Sequence, residues 1–202
     1  MNAAAKVGGI YANNTKRADF IIDNLKINLN ILESVIEFSG IKVINLGSSC
    51  IYPLDAKNPI KESDFMTGSL EPTNSPYAMA KLSAIEIGRS LKAQYGHKVI
   101  NLMPTNLYGP NDNFDLKTSH FIPALIRKIL KAKKFKNNFV EIWGTGKAKR
   151  EVMYVDDLAS AIYFIINKKI GKNKKLMKYL KKNSLINVGS GNEYSIKQFA
   201  SK

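Results

Sequence analysis

The chain has little that could crosslink it or anchor it in a membrane. It has one cysteine, Cys50, so intramolecular disulfides are excluded and a reducing compartment is expected. It has no run of about 18 apolar residues, and its first residues lack the charged and apolar regions of a signal peptide. We therefore expect a cytoplasmic protein that does not insert into a membrane.

Acidic residues are also scarce, with 16 Asp and Glu against 31 Lys and Arg and a formal net charge of +15. Much of the excess lies in residues 127–138 and 168–183, which contain few aromatic residues. Clustered basic residues can bind nucleic-acid phosphates. The same clustering is also found where a lysine-rich surface is simply exposed to solvent, or where it attracts a polyanionic small ligand. We expect no nucleic-acid partner and keep a noncatalytic basic module as the alternative from another class.

Apolar periodicity predicts helices that alternate with short buried strands. The first predicted helix covers 18–39 and is closed by Gly40, and a strand over 41–46 follows it. The second helix is capped by Ser75, has Pro76 in its first turn and ends at Gly96. The later elements are strands over 98–103 and 139–144, a helix over 154–166 begun by Asp156 or Asp157, a strand with a glycine turn over 185–191, and a helix from Ser195. This order predicts a parallel sheet covered by helices, with ligands beyond the carboxyl ends of the strands.

No strand with a glycine-rich turn precedes the first predicted helix, and the last predicted helix stops after two turns. We therefore expect an internal part of a longer enzyme that lacks both ends.

Tyr77 and Lys81 stand four residues apart on a predicted helix, so they lie one turn apart on the same side. A nearby ammonium favours a phenolate and is expected to lower the pKa of Tyr77 from about 10. Chance also produces such a pair in a chain with 9 tyrosines and many lysines. Ser48, at the end of the preceding strand, adds a hydroxyl that can bond the same substrate oxygen and so help to polarise a carbonyl.

At these residues the chain resembles the extended short-chain dehydrogenase/reductase family, which has Ser, Tyr and Lys at the same places relative to strand and helix. SPYAMAK (75–81) matches its Y-x-x-x-K motif and PTNLYGP (104–110) its next strand-end loop. REVMYVDDLASA (150–161) and INVGSGNEYSI (186–196) are similar to later landmarks, so nearly the whole chain is covered. The resemblance implies an α/β fold, with a truncated Rossmann-like parallel sheet that has helices on both faces and part of a smaller C-terminal substrate domain.

Within that family, the stretches AAAKVGGIYANN, LGSSCIYP, MPTNLYGPNDNFD and EIWGTG are similar to enzymes that act on GDP-4-keto-6-deoxy-D-mannose. Those enzymes epimerise C3 and C5 and then reduce C4 with NADPH. The similarity implies NADP(H) as cofactor, a GDP-sugar as substrate, no metal and a homodimer. Another nucleotide-sugar epimerase, dehydratase or reductase of the same superfamily stays open.

The resemblance also gives Cys50 and His120 a joint task, since most reductases of the wider family lack both. A C4 ketone acidifies C3 and C5, and inverting each centre needs a base on one face and an acid on the other. The family precedent makes Cys50 the base and His120 the acid, and a thiol and an imidazole can both titrate near neutrality. From the residues alone, Cys50 could equally be a small core residue and His120 a helix cap or surface residue.

Further site residues follow from the resemblance position by position. The catalytic set is Ser48, Cys50, Tyr77, Lys81 and His120. The cofactor-binding set is Leu46, Gly47, Ser48, Lys81, Pro104, Thr105, Asn106, Leu107 and His120. For the GDP end, Lys128 is expected at the diphosphate, and Trp143 and Arg150 at the nucleotide, although Trp143 could also be a core aromatic. Ser49 is expected to face away.

The resemblance divides the chain at about residue 110. Residues 1–110 are expected to be the C-terminal portion of the NADP-binding domain, without its glycine-rich N-terminal part. Residues 111–202 are expected to form a partial substrate-binding region interleaved with returning Rossmann elements.

Overall fold

The computed structural model describes residues 1–38, 40–142, 144–167 and 173–201. The helices are α1 (Ile10–Thr15), α2 (Arg17–Ser34), α3 (Ser75–Tyr95), α4 (Phe121–Lys134), α5 (Val155–Ile166), α6 (Lys174–Lys182) and α7 (Ile196–Ser201). The strands are β1 (Lys42–Leu46), β2 (Lys98–Pro104), β3 (Asn106–Tyr108), β4 (Lys149–Tyr154), β5 (Leu185–Val188) and β6 (Glu193–Ser195). Short 3-10 helices cover Ser49–Ile51 and Glu62–Asp64.

The first sheet is parallel and has the strand order β1-β2-β5. The strands β1 and β2 share the sequence KVINL and pair in register, from Lys42 opposite Lys98 to Leu46 opposite Leu102. Successive side chains of a strand point to opposite faces. Because the sequence is repeated in register, identical residues of the two strands lie side by side on each face of the sheet.

Helices cover both faces of this sheet. The cluster on one face joins strand residues to α2 and α3: Val43, Val99, Leu32, Val35, Ala84 and Leu91. The cluster on the other face joins strand residues to α5: Ile44, Leu102, Met153, Leu158 and Ile162. The predicted architecture, a parallel sheet with helices on both faces, is confirmed.

A ladder of buried asparagines crosses the sheet and holds the N-terminal segment against β1. The Asn2 amide donates to Asn45 Oδ1 at 3.1 Å, the Asn45 amide to Asn101 Oδ1 at 3.1 Å, and the Asn101 amide to the carbonyl of Ser184 at 3.1 Å. Asn2 also pairs with β1 in parallel through its backbone. Buried amides need such partners, and this ladder places residues 3–8 beside the carboxyl end of the sheet.

A second sheet has the order β3-β4-β6, in which β3 and β4 are parallel and β4 and β6 antiparallel. The following helix, α7, begins at Ile196. Two reciprocal hydrogen bonds fix the start of this helix. The backbone amide of Gln198 donates to Ser195 Oγ, and the backbone amide of Ser195 donates to Gln198 Oε1.

Two predicted elements differ from the structure. The helix predicted over 18–39 ends at Ser34 and buries Asn24 and Asn28, while Leu29 is 47% exposed. These asparagines can be buried because their amides donate to the backbone of Lys6 and Phe20, and of Ala80. The strand predicted over 139–144 is wrong for its described part, because Phe139 to Ile142 form no strand and Phe139 is 79% exposed.

The other predicted elements differ from the structure by only a few residues, whereas α1, β3, α4, β4, α6 and β6 were not predicted. The helix α3 has Asn74 as its N-cap and Ser75 as its first residue, one residue from the prediction, and Gly96 ends it with φ +73°. The helix α5 starts at Val155, with both predicted aspartates in its first turn. Trp143 and residues 168–172 of the lysine-rich segment lie outside the described residues.

Candidate active site

A cleft of about 390 Å³ lies at the carboxyl edge of the first sheet. Most of the residues predicted to bind cofactor or to catalyse line it: Leu46, Gly47, Ser48, Tyr77, Lys81, Pro104, Thr105, Asn106, Leu107 and His120. They come from β1, α3, β2, β3 and the residue before α4. The cleft is where a parallel sheet is expected to bind its ligand.

The loop after β1 is held closely against β2. The Gly47 amide donates to the carbonyl of Leu102 at 2.8 Å. A Cβ on Gly47 would lie 2.0 Å from Met103 Cε, so only glycine fits without displacing that side chain. Ser48 then caps the short helix Ser49–Ile51, with its Oγ accepting from the Cys50 amide at 3.4 Å. Ser49 lines the cleft, so the expectation that it faces away is wrong.

Tyr77 and Lys81 lie side by side on α3, as their spacing predicts. Lys81 is only 3% exposed, and its ammonium donates to the carbonyl of Leu46 at 2.9 Å. The same ammonium lies 5.6 Å from the centroid of the Tyr77 ring, and this ring also packs edge-on against Phe20. An ammonium has three donors, so the Leu46 carbonyl uses one of them.

The expected lowering of the Tyr77 pKa is not what the structure gives. Burial raises the pKa of Tyr77, a charge on Cys50 would raise it further, and the hydrogen bond with Ser48 lowers it only in part. Burial also lowers the pKa of Lys81. Desolvation therefore outweighs the neighbouring ammonium, and Tyr77 is a neutral phenol that can donate a proton.

Cys50 lies behind the cleft, next to Ser48 rather than in the lining. Burial raises the pKa of its thiol to about 11, although Ser48 and Lys81 act to lower it. The expectation that this thiol titrates near neutrality is wrong for this structure. At neutral pH Cys50 is protonated and needs a proton acceptor before it can act as a base.

His120 lines the cleft as the residue before α4, and its side chain makes no capping hydrogen bond to that helix. Burial lowers its pKa, against the attraction of Asp112, which raises it. The loop before His120 is fixed by the N-terminal segment, since the Gly9 amide donates to the carbonyl of Thr118 at 2.8 Å. A Cβ on Gly9 would lie 2.4 Å from the Ser119 carbonyl oxygen, so this contact requires glycine.

The predicted site residues did not include the N-terminal wall of the cleft. Ala3, Ala5, Val7, Gly8 and Asn13 line it. The signal that could have found them is the run of small residues in AAAKVGGIYANN, because small side chains let a backbone approach a ligand closely.

The residues predicted for the GDP end lie outside this cleft. The Lys128 ammonium, on α4, donates to the carbonyl of Glu141 at 3.0 Å. Arg150, on β4, is exposed and donates to the carbonyl of Lys149 at 2.7 Å. The structure therefore does not bring these two side chains to the cleft residues, and Trp143, the third predicted contact, is outside the described residues.

A parallel sheet, a cleft at its carboxyl edge and a Tyr–Lys pair beside a Ser loop are the features expected of a nucleotide-dependent epimerase or reductase. The model of the NAD dependent epimerase/dehydratase family matches residues 1–189. The chain belongs to this family.

Particular relatives narrow the comparison. The chain is 47% identical over 198 residues to GDP-L-fucose synthase 1 of Arabidopsis thaliana, covering 98% of this chain and 58% of that protein. Among solved structures, a GDP-mannoheptose C4 reductase from Campylobacter jejuni with NADP bound is 35% identical, with a TM-score of 0.81, covering 98% of this chain and 66% of that one. A GDP-L-fucose synthetase from Naegleria fowleri bound to NADP is 30% identical, with a TM-score of 0.81, covering 98% of this chain and 58% of that one. The chain thus spans about three fifths of these relatives.

The polar atoms of the cleft fit a ligand that carries hydroxyl and amide groups, as such a dinucleotide does. Thr105 lines the cleft, and its Oγ1 is buried without a hydrogen-bond partner among the described residues. Asn13, on the N-terminal wall of the cleft, also has a buried Oδ1 without a hydrogen-bond partner among the described residues. Buried polar atoms normally have partners, so these two atoms and the Lys81 ammonium are suited to hydroxyl and amide groups of a ligand.

Proposed function

We propose that the chain is the catalytic portion of a GDP-L-fucose synthase, which epimerises C3 and C5 of GDP-4-keto-6-deoxy-D-mannose and reduces C4 with NADPH. The observation that carries the proposal is one cleft that brings Ser48, Tyr77, Lys81 and His120 together, with Cys50 directly behind Ser48. The identity to a curated GDP-L-fucose synthase over 98% of the chain supports the same substrate.

In this proposal Ser48 and Tyr77 hold the C4 oxygen. Both hydroxyls can donate to it, which stabilises the enolate that forms when a proton leaves C3 or C5. Bound NADPH supplies a hydride to C4. Tyr77 then gives its proton to the C4 oxygen, and the raised pKa keeps that proton available at neutral pH.

Lys81 has two tasks in the proposal. Its ammonium, held by the Leu46 carbonyl, donates to the ribose of the nicotinamide nucleotide. It also stabilises the phenolate that Tyr77 becomes after protonating the substrate. Leu46, Gly47 and the residues 104–107 complete the cofactor wall.

Cys50 and His120 invert the two carbon centres. Cys50 removes a proton on one face and His120 returns one on the other, so the pair needs one proton between them in the active form. The pKa of Cys50 is raised to about 11 and that of His120 is lowered. The pair therefore holds one proton over a wide range around neutral pH, and in the resting site this proton lies on Cys50. It has to pass to His120 before Cys50 can act as the base and His120 as the acid.

A simple GDP-sugar C4 reductase is the second candidate. The relative from Campylobacter jejuni is named only as a C4 reductase and is 35% identical over nearly all of this chain. Such an enzyme needs Ser48, Tyr77 and Lys81 but gives Cys50 and His120 no task. Those two residues distinguish the candidates.

The test uses the full-length gene product with GDP-4-keto-6-deoxy-D-mannose and NADPH. We expect NADPH oxidation and a product with inverted C3 and C5. NADPH oxidation with retained configuration would favour the reductase. A protein that consumes no NADPH with this substrate would contradict the proposal.

We further propose that the full-length protein is a cytoplasmic homodimer, and that the chain divides between cofactor-binding and substrate-binding parts near residue 110. Exposed apolar side chains on α2 and α3, Ile22, Leu29 and Met79, support self-association through these helices. Among the described residues, no helix is long and apolar enough to cross a bilayer. Sedimentation of the full-length protein tests the dimer.

A noncatalytic nucleic-acid-binding module is the alternative from another class, suggested only by the net charge of +15. It gives no reason for the site residues to converge on one cleft. Salt-sensitive binding of the full-length protein to random DNA at sub-micromolar affinity would favour it.

A further inference from the structure

The stretch INVGSG (186–191) has no part in the proposed mechanism. Its strand, β5, pairs with β2 so that Asn187 lies opposite Met103, whose side chain packs under Gly47. Asn187 is thus next to the loop that carries Ser48 and Cys50, although 137 to 139 residues later in the chain.

Asn187 makes three hydrogen bonds to one segment. Its Oδ1 accepts from the Tyr52 hydroxyl at 2.5 Å, its side-chain amide donates to the carbonyl of Ile60 at 3.2 Å, and its backbone amide donates to Glu62 Oε1 at 2.9 Å. One residue of the sheet therefore holds both ends of the segment 52–62.

That segment begins two residues after Cys50. Ile51 and Tyr52 are 0% and 5% exposed and pack with Met103 and Leu185 in one core cluster. The Tyr52 hydroxyl has to reach a partner from this apolar surrounding, and burial, together with Glu62, raises its pKa so that it stays a donor. The loop 47–50 is therefore fixed by Met103 at its first residue and by Tyr52 just beyond its last.

We infer that Asn187 is a positioning residue for the loop 47–50, acting through its hydrogen bond with Tyr52. Asn187 does not line the cleft, so it has no direct part in the chemistry. It keeps Cys50, a half-buried residue whose thiol is desolvated, behind Ser48. The consequence for catalysis rests on the proposed function, whereas the positioning itself does not.

The burial of Cys50 gives a probe that needs no substrate. A thiol reacts with iodoacetamide as the thiolate, so alkylation of Cys50 in the wild type should rise tenfold per pH unit towards its pKa of about 11. Loosening the loop exposes the thiol and moves the midpoint towards the ordinary value of about 8.5.

The experiment measures alkylation on the peptide that contains Cys50, in the full-length gene product, from pH 7 to 11. Tyr52→Phe removes one hydroxyl and keeps the ring packing, and Asn187→Ala removes the acceptor. We expect each to speed alkylation at pH 8 by about tenfold or more, given a midpoint shift of at least one unit. The double variant should show no further change.

Val99→Ala is the matched control, since it opens a cavity in the other core cluster, at the amino end of β2. It should lower the melting temperature and leave the Cys50 pH profile at the wild-type position. All variants are compared at the same interval below their melting temperatures. A wild-type profile in either Tyr52→Phe or Asn187→Ala, or additive effects in the double variant, would overturn the inference.

Under the proposed function, the same two variants lose C3 and C5 proton exchange. A wild-type protein without activity on the GDP-sugar would contradict the proposed function and leave the alkylation result intact.

Discussion

The side proposed to bind the cofactor and the side proposed to bind the nucleotide-sugar are built differently. On the first, Lys81 is buried and bonded to Leu46, and the Ser48 loop is locked against β2. On the second, Lys128 donates to the carbonyl of Glu141 and Arg150 to that of Lys149, and both residues lie outside the cleft. In our proposal the catalytic side is preorganised by the sheet, whereas the phosphate-binding side has to rearrange its long basic side chains around the ligand.

The comparison predicts the largest loss at the preorganised side. Tyr77→Phe should lower the rate of NADPH oxidation with the GDP-sugar by about 10²–10⁴, the range for a lost proton donor. NADPH affinity, measured by fluorescence, should change little. Tyr95→Phe, on the exposed end of the same helix, is the control. An activity of Tyr77→Phe within twofold of the wild type would remove Tyr77 from the mechanism.

Arg150→Ala and Lys128→Ala should have smaller effects on the nucleotide-sugar side. A charged hydrogen bond is worth about 1.5–3 kcal/mol, so KM should rise by about 10-fold or more with little change in kcat. Lys133→Ala, further along α4, should leave KM unchanged. If KM stays at the wild-type value in both test variants, the GDP end lies elsewhere.

A lost hydroxyl at the cofactor wall should have an effect of only a few-fold. Thr105→Val keeps the shape and removes an Oγ1 that is buried without a partner among the described residues. Loss of a neutral hydrogen bond of about 1 kcal/mol would weaken NADPH binding about fivefold. The thermal stability of Thr105→Val should not fall, because the lost Oγ1 has no hydrogen-bond partner among the described residues. Unchanged NADPH affinity would show that no ligand group reaches Thr105.

The smallest change is expected in the pH dependence of C3 and C5 exchange. Burial lowers the pKa of His120 below its ordinary value of about 6.5 and raises that of Cys50 to about 11. Between these values the pair holds one proton, so the exchange rate should stay nearly flat from about pH 7 to about pH 10. It should fall at lower pH, where a second proton binds. A tenfold rise per pH unit over this range would mean that Cys50 acts without His120.

The position of the cleft could be predicted from the sequence because it follows from topology. Two strands with the sequence KVINL must place the residues after Leu46 and Met103 at one edge. The pKa values could not be predicted, since they depend on burial by residues distant in the sequence. The Asn187–Tyr52 contact was missed for the same reason, because an asparagine in a strand motif does not reveal its partner.

The most direct test of the account concerns Cys50. In D₂O, the wild-type full-length protein should place deuterium at C3 and C5 of the GDP-sugar. Cys50→Ser should lose this incorporation by about 100-fold or more, as expected for a removed base, while binding NADPH with wild-type affinity. Deuterium incorporation at the wild-type rate by Cys50→Ser would contradict the division of tasks within the Ser48–Cys50 loop.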